Sequence, residues 1–399
     1  MSKQIFPADI TGKSFAEGGS VLDHRFGKSD PYTLGVEEEY MLLDGETLDL
    51  VQHVEAVLEA AEGGEFERRV NPELMQSVLE IATPVCRTAA EVDDELRKLR
   101  GYVTGIAREQ GMRVGSAGTH PFSLFERQRI TARDRYRHLV DQLQYVARRE
   151  LIFGLHVHVA VDDPERAVQI VNGLLAHLPA FLALSASSPF WRGEPTGLAS
   201  SRQMVFAAFP RSGPPPRFKD YADYAEVVGQ LEKTGCIADY THIWWDIRLH
   251  PRFGTVEIRV CDAVTRVEDA VALAAYAQSL VKLYSERHAI GAEIPSYHRI
   301  LTTENKWLAA RYGLEAPVMD LATGRRNRVP VAQLVRRTLK ELEPHARELG
   351  CDAELEGITE ILRKGNGADR QRRIWNANRD IVEVVREIAE ATEPAAVPA

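Results

Sequence analysis

The sequence predicts an α+β fold, with helices packed against a mostly antiparallel sheet, and two observations carry that expectation. Apolar strand candidates at 33–44, 151–161 and 243–262 are interrupted irregularly by long helical stretches at 90–112, 164–189 and 267–289. The strands also repeat one pattern, an apolar set of alternate residues opposite a set carrying ionisable groups. The 399 residues suffice for a sizeable core, and no internal repeat divides them. The expected organisation is an irregular segment at 1–30, one domain at 31–392 and a disordered tail at 393–399.

Taken in order, TLGVEEEYMLLD (33–44) reads as a strand that turns at Asp44-Gly45 and returns through TLDLV. Asn71 to Val85 begins with Asn-Pro and is a second strand candidate. The stretch 90–112 has apolar residues at helical spacing, acids early and bases late, as the helix dipole favours. MRVGSAGT (112–119) is a short buried strand entering a glycine turn, and Arg133 to Arg149 is a charged helical segment. LIFGLHVHVAV (151–161) is the clearest strand, and 164–189 a buried helix pair. Residues 207–224 form a proline-rich loop of a length that usually serves function. IWWDIRLHPRFGTVEIRVCD (243–262) reads as two strands joined at Pro251 to Gly254, and Val267 to Ala289 as an apolar helix. From Lys306 onward the chain is mainly helical, and KGNGADRQR (364–372) caps a helix with Asp369 in its first turn.

Composition narrows the function. Apolar residues make up 44% and charged residues 27%, and the formal charge is −9. An acidic surface gives no general attraction to nucleic acid or anionic membrane, so an anionic substrate needs local cations. Cys86, Cys236, Cys261 and Cys351 are far apart, which suggests neither a disulfide framework nor a zinc knuckle. The N-terminus lacks a secretory apolar run, and stretches such as Leu178 to Ala186 are too short to span a bilayer. A cytoplasmic protein is expected.

Side chains two apart on a strand share a face. Glu37 and Glu39 therefore point one way with Gly35, while Val36, Glu38 and Tyr40 point the other. In 151–161, Ile152, Gly154, His156 and His158 share a face opposite an apolar one. In 255–261, Thr255, Glu257, Arg259 and Cys261 share a face opposite Val256, Ile258 and Val260. Each pattern alone is commonplace in a half-exposed strand. Together, on strands apolar enough to be central, they would crowd carboxylates into one cavity, where each buried ion costs several kcal/mol unless compensated. Divalent cations bound by carboxylate oxygens would compensate them. Glu73 and Glu80 have opposite parity, so both reach that cavity only if Glu73 sits in a turn or a bulge intervenes.

These segments resemble the type 2 glutamate–cysteine ligases, a family of carboxylate–amine ligases grouped by fold with glutamine synthetase. The matching pieces are TLGVEEEY, NPELMQSVLEIAT, GLHVHV, SSRQMVF, WWDIRLHPRFGTVEIRVCD, ENKWLAARYG and GNGADRQR, in order over about 33–375. The resemblance implies a curved antiparallel sheet with helices on its outer side, and a single catalytic domain. It implies that Glu37, Glu39, Glu80, His156 and Glu257 hold divalent ions, with Glu73 near the substrate amino group or a second metal. It places Arg259 at the transferred phosphate and gives His158 a phosphate-side or supporting role. Arg202, Arg248 and Arg252 become carboxylate or phosphate binders. Glu38, on the wrong face, is expected to be structural. The substrate choice is expected to sit in loops 192–224 and 290–305.

The implied chemistry uses ATP and Mg²⁺, with Mn²⁺ as an alternative. A carboxylate is activated as an acyl-phosphate, and a small-molecule amine or amino acid displaces the phosphate. Neither a GxxxxGK[ST] loop nor a strand–GxGxxG–helix unit is present, so ATP use rests on the resemblance and the carboxylate pattern. The rival from another class is a metal-dependent amide hydrolase using the HVH pair. A non-catalytic binding protein of the same fold is outweighed by the complete ionisable faces. Donor, acceptor, ion number and oligomeric state stay open, a homodimer being one option.

Overall fold

The central strand is β1 (Leu34–Asp44), whose alternation sorts the acidic run between two faces. The structure, a computed structural model, describes residues 22–321, 323 and 327–394. The expected irregular segment therefore lies outside the described residues at 1–21, and the expected tail at 395–399. Residues 22–30 contain neither helix nor strand. The other strands around β1 are β2 (Val70–Pro72), β3 (Val78–Ala82), β4 (Met112–Gly115), β5 (Gly154–Ala160), β6 (Ile247–His250) and β7 (Thr255–Asp262). They form one seven-stranded sheet in the order β6-β7-β5-β1-β3-β2, with β4 beside the C-terminal half of β1. Every pairing in it is antiparallel.

One face of the sheet is the core. Val36, Tyr40, Leu42, Leu79, Ile81, Leu155, Val157, Val159, Val256 and Ile258 are all buried in a single cluster. The helices Ala89–Glu109, Pro164–Leu174 and Val267–Ala289 pack over it. Full burial of each large apolar side chain contributes about 1.5–3 kcal/mol. Glu38 lies on this face at 1% exposure and is gripped by Arg100, at 2.5 Å (Nη2–Oε1) and 3.0 Å (Nε–Oε2), and by the Tyr40 hydroxyl. A buried carboxylate is tolerated there because a buried guanidinium compensates it. Its role is structural, in agreement with its parity.

The structure departs from the sequence reading in several places. Residues 71–85 form two short strands, not one, because the chain turns between Pro72 and Val78; Glu73 sits in that turn. The 151–161 strand starts only at Gly154, since Leu151 to Phe153 bond elsewhere, Phe153 N–H donating to Gly118. The 133–149 helix breaks at Gln144, which has φ +50°. In β7 the ladder with β5 skips between Ile258 and Cys261, a bulge that turns Cys261 from the ionisable face into the apolar core. The run Pro164–Ser185 is continuous enough to be long and apolar enough to cross a membrane, against the expectation from 178–186 alone. It is a core helix here, with 94% of its most apolar window buried. Asn366 and Asp369 form a reciprocal capping box at the helix Gly367–Asn378.

Candidate active site

The second face of the sheet is assembled by register. Glu37 of β1 lies across from His156 of β5, and Glu39 across from Glu80 of β3. His158 of β5 lies across from Glu257 of β7, which in turn faces Arg248 of β6. Side chains so paired have Cβ atoms about 4.5–5.5 Å apart, so these pairings draw the ionisable groups of five strands together. They line a cavity of about 350 Å³. Glu73, Arg202, Arg252 and Arg259 line the same cavity, so every residue expected to bind metal, phosphate or substrate reaches it. Glu73 does so from the turn before β3, one of the two geometries its parity allowed.

One end of the cavity is rich in bases. Glu37 accepts a hydrogen bond from His156 Nδ1 at 3.1 Å and lies 3.5 Å from His158 Nε2. Glu257 receives Arg248 through Nε at 2.8 Å and Nη2 at 2.7 Å, and its other oxygen receives Arg259. Burial pushes both carboxyls up. The His156 and His158 bonds outweigh it at Glu37, and the Arg248 and Arg259 charges outweigh it at Glu257, so both are held below their ordinary range. Burial, with the Arg259 charge adding to it, lowers His156 to about 4, so its imidazole is neutral.

The other end is rich in acids. Burial, then the charge of Glu73, raises Glu39 to about 7. Burial, then Glu37, Glu73 and Glu39, drives Glu80 well above the ordinary range. Glu73 is raised by burial, with Arg135 opposing.

Two residues gain detail. His158, expected on the phosphate side or in support, joins Glu37 and Glu257 in a group whose ligand atoms all lie within 4.8 Å of one another. His156 keeps Nε2 buried with no hydrogen-bond partner. Arg248, expected to bind ligand, spends its donors on Glu257 and on the carbonyls of Thr241 and Ile243. It is placed as the counter-ion of Glu257.

The cavity has walls that the sequence reading missed. Glu150, Arg135 and Tyr136 come from the segment before β5, and Tyr240 to His242 and Trp244 from the segment before β6. Glu150 had a usable signal: it shares parity with Ile152, Gly154, His156 and His158. Of the two loops expected to set substrate choice, 192–224 supplies Arg202, Phe206 and Phe209, whereas no described residue of 290–305 lines the cavity.

Comparison with known proteins gives the family and the fold. The model of glutamate–cysteine ligase family 2 matches residues 33–391. A protein of Rubrobacter xylanophilus, provisionally named glutamate–cysteine ligase 2-1, is 44% identical over 374 residues, 94% of this chain and 98% of its own length. One of Sorangium cellulosum, provisionally named glutamate–cysteine ligase 2, is 45% identical over 362 residues, 90% of this chain and 96% of its own. Among solved structures, the glutamate–cysteine ligase of Francisella tularensis in complex with AMP superposes with a TM-score of 0.64 at 11% identity, over 93% of this chain and 91% of that one. The bifunctional glutathione synthetase of Pasteurella multocida gives 0.66 at 16% identity, over 90% of this chain and 53% of that one. At such identities the two structures speak for the fold. The amide-hydrolase alternative gains no support from any of these relatives.

Proposed function

The chain belongs to glutamate–cysteine ligase family 2, and from that premise we propose that it joins a carboxylate to an amine while converting ATP to ADP and phosphate. L-glutamate and L-cysteine are the first substrate pair to test. The observation that carries the reading is the convergence of Glu37, Glu39, Glu73, Glu80 and Glu257 with Arg259 on one cavity.

The donor set fits hard divalent cations. Oxygen ligands predominate, Glu37, His158 and Glu257 offer atoms within 4.8 Å of one another, and the acid-rich end crowds carboxylates whose charges repel. Glu37, Glu39, Glu80, Glu257 and the two histidines would hold Mg²⁺ or Mn²⁺, which when bound neutralises phosphate charge and orients the triphosphate.

The rest falls to the protein's own groups. A donor carboxylate oxygen attacks the γ-phosphorus, the bond to ADP breaks, and an acyl-phosphate results. The amine then attacks the acyl carbon, the acyl carbon–oxygen bond breaks, and phosphate leaves, taking up the proton that the amine nitrogen loses. Both steps need the reactants held close and in line, which a walled cavity supplies. Arg259, steadied by Glu257, faces the charge that develops on the transferred phosphoryl group; an arginine so placed contributes about 10³–10⁵ in rate. Arg252, at the rim with its guanidinium 6.0 Å from the Tyr240 ring centre, is placed to meet phosphate or carboxylate.

The test is ADP release with Mg²⁺ across pairs of amino acids. Release that needs a carboxylate and an amine together is the expected result. ATP-independent amide cleavage, or no nucleotide turnover with any pair, would overturn the reading.

A further inference from the structure

Two groups in the cavity, a guanidinium and a carboxyl, keep buried polar atoms without a partner. Arg202 is 3% exposed, and its Nε and Nη1 are buried with no hydrogen-bond partner. Glu150 is partly buried, and its Oε2 is also buried with no partner. Arg202 is the charge that acts most strongly on Glu150, yet these free atoms do not pair with each other. Burial raises Glu150 to about 8, with Arg202 opposing and Glu39 adding.

Arg202 is held in place by its surroundings. Its guanidinium lies over the Phe206 ring at 5.6 Å. A Cβ on Gly154 would come within 2.5 Å of Arg202 Nη2 and 3.1 Å of His156 Nε2, so only glycine leaves that space. Beside it the cavity wall turns apolar. Ile152, Phe206 and Phe209 line it, and the two phenylalanine rings stack at 5.7 Å.

An unpaired buried guanidinium is costly, and a buried carboxyl with no cation beside it is held toward its protonated form until one arrives. A zwitterion resolves both at once: its carboxylate meets the arginine fork, and its ammonium meets the carboxylate. The apolar wall says what the rest of the molecule is. An acyl donor with a second carboxylate would strand that charge against phenylalanine, whereas an acceptor's uncharged side chain would pack there. We propose that Arg202, Glu150 and the wall of Ile152, Phe206 and Phe209 form the acceptor subsite, and that the acceptor is an α-amino acid with an apolar side chain, aromatic ones larger than cysteine's included. The assignment to the acceptor rests on the ligase reading; the zwitterion pocket itself does not.

Binding of L-phenylalanine to the full chain, followed by saturation-transfer NMR or calorimetry, needs no turnover. L-phenylalanine should bind at least 30-fold more tightly than 2-phenylethylamine or 3-phenylpropanoate, which lack one charge each. Glu150→Gln, Arg202→Lys and Gly154→Ala should each raise its Kd at least 10-fold. With ATP, Mg²⁺ and L-glutamate, the ratio of kcat/KM for L-phenylalanine to that for hydroxylamine should fall at least 10-fold in the same variants. Equal binding of L-phenylalanine and 2-phenylethylamine, or wild-type Kd in Glu150→Gln, overturns the subsite. Glu150→Gln is isosteric and decides the matter if Arg202→Lys fails to fold. If the binding pattern holds while the wild type releases no ADP even with hydroxylamine, the ligase reading falls and the zwitterion pocket stands.

Discussion

At one end of the cavity Glu37 and Glu257 sit among two histidines and two arginines; at the other, Glu39 and Glu80 sit chiefly among other glutamates. Burial pushes all four carboxyls in the same direction. What separates them is the neighbour that β-register supplies. Glu37 is paired across the ladder with His156, and Glu39 with Glu80. Two residues apart on one strand, the same side chain is thus kept ionised in one place and drawn toward its proton in the other. At the base-rich end histidines and arginines already compensate the carboxylates, while His156 Nε2 and His158 Nε2 keep no hydrogen-bond partner. The acid-rich end stores repulsion that a cation from solution would relieve.

The largest effect expected from breaking this contrast is at the base-rich end. Arg259→Ala should lower kcat by about 10³–10⁵, with an unchanged circular dichroism spectrum because Arg248 still compensates Glu257. A loss of less than tenfold would remove Arg259 from the phosphoryl site. At the acid-rich end, Glu80→Gln should act in two opposite senses. Removing a carboxyl that the fold forces to hold a proton at neutral pH should raise the unfolding free energy in metal-free buffer by on the order of 1 kcal/mol. The Mg²⁺ concentration for half-maximal activity should rise about tenfold, since ligand charge sets affinity. An unaltered Mg²⁺ dependence would show that this end holds no cation.

The smallest effect separates the cavity from its scaffold. His120 and His177 lie outside the cavity, and burial lowers them to about 4 and about 3. Both are neutral in the fold and take up protons only on unfolding. Their contribution is therefore present above pH 6.5 and lost as the pH falls from there toward 4. Unfolding free energies from urea titrations at pH 8 and pH 6 should differ by on the order of 1 kcal/mol for each histidine. A midpoint that His120→Gln leaves just as pH-sensitive would assign the acid limb to the cavity instead.

Much of this was legible in the sequence because the side-chain period of a strand is two. That period alone separates Glu37 and Glu39 from Glu38, aligns His156 with His158, and sets Glu257 and Arg259 opposite the apolar residues of β7. It failed at Cys261, because a bulge adds a residue without any local mark in the sequence. It left Glu73 undecided until the turn before β3 was seen. Glu150 was overlooked because it stands outside the strand whose parity it continues, and Tyr136 and Trp244 because loop sequence does not specify where a loop will lie.

The sequence by itself determined the inward and outward faces, the fold class and the inventory of ionisable groups, since alternation and hydrophobicity are local properties of the chain. Only the tertiary structure decided which strand lies beside which, and therefore which glutamate meets a histidine and which meets another glutamate. Proton affinity and ligand geometry follow from charges brought within a few ångströms across long stretches of sequence, and no single stretch contains that distance.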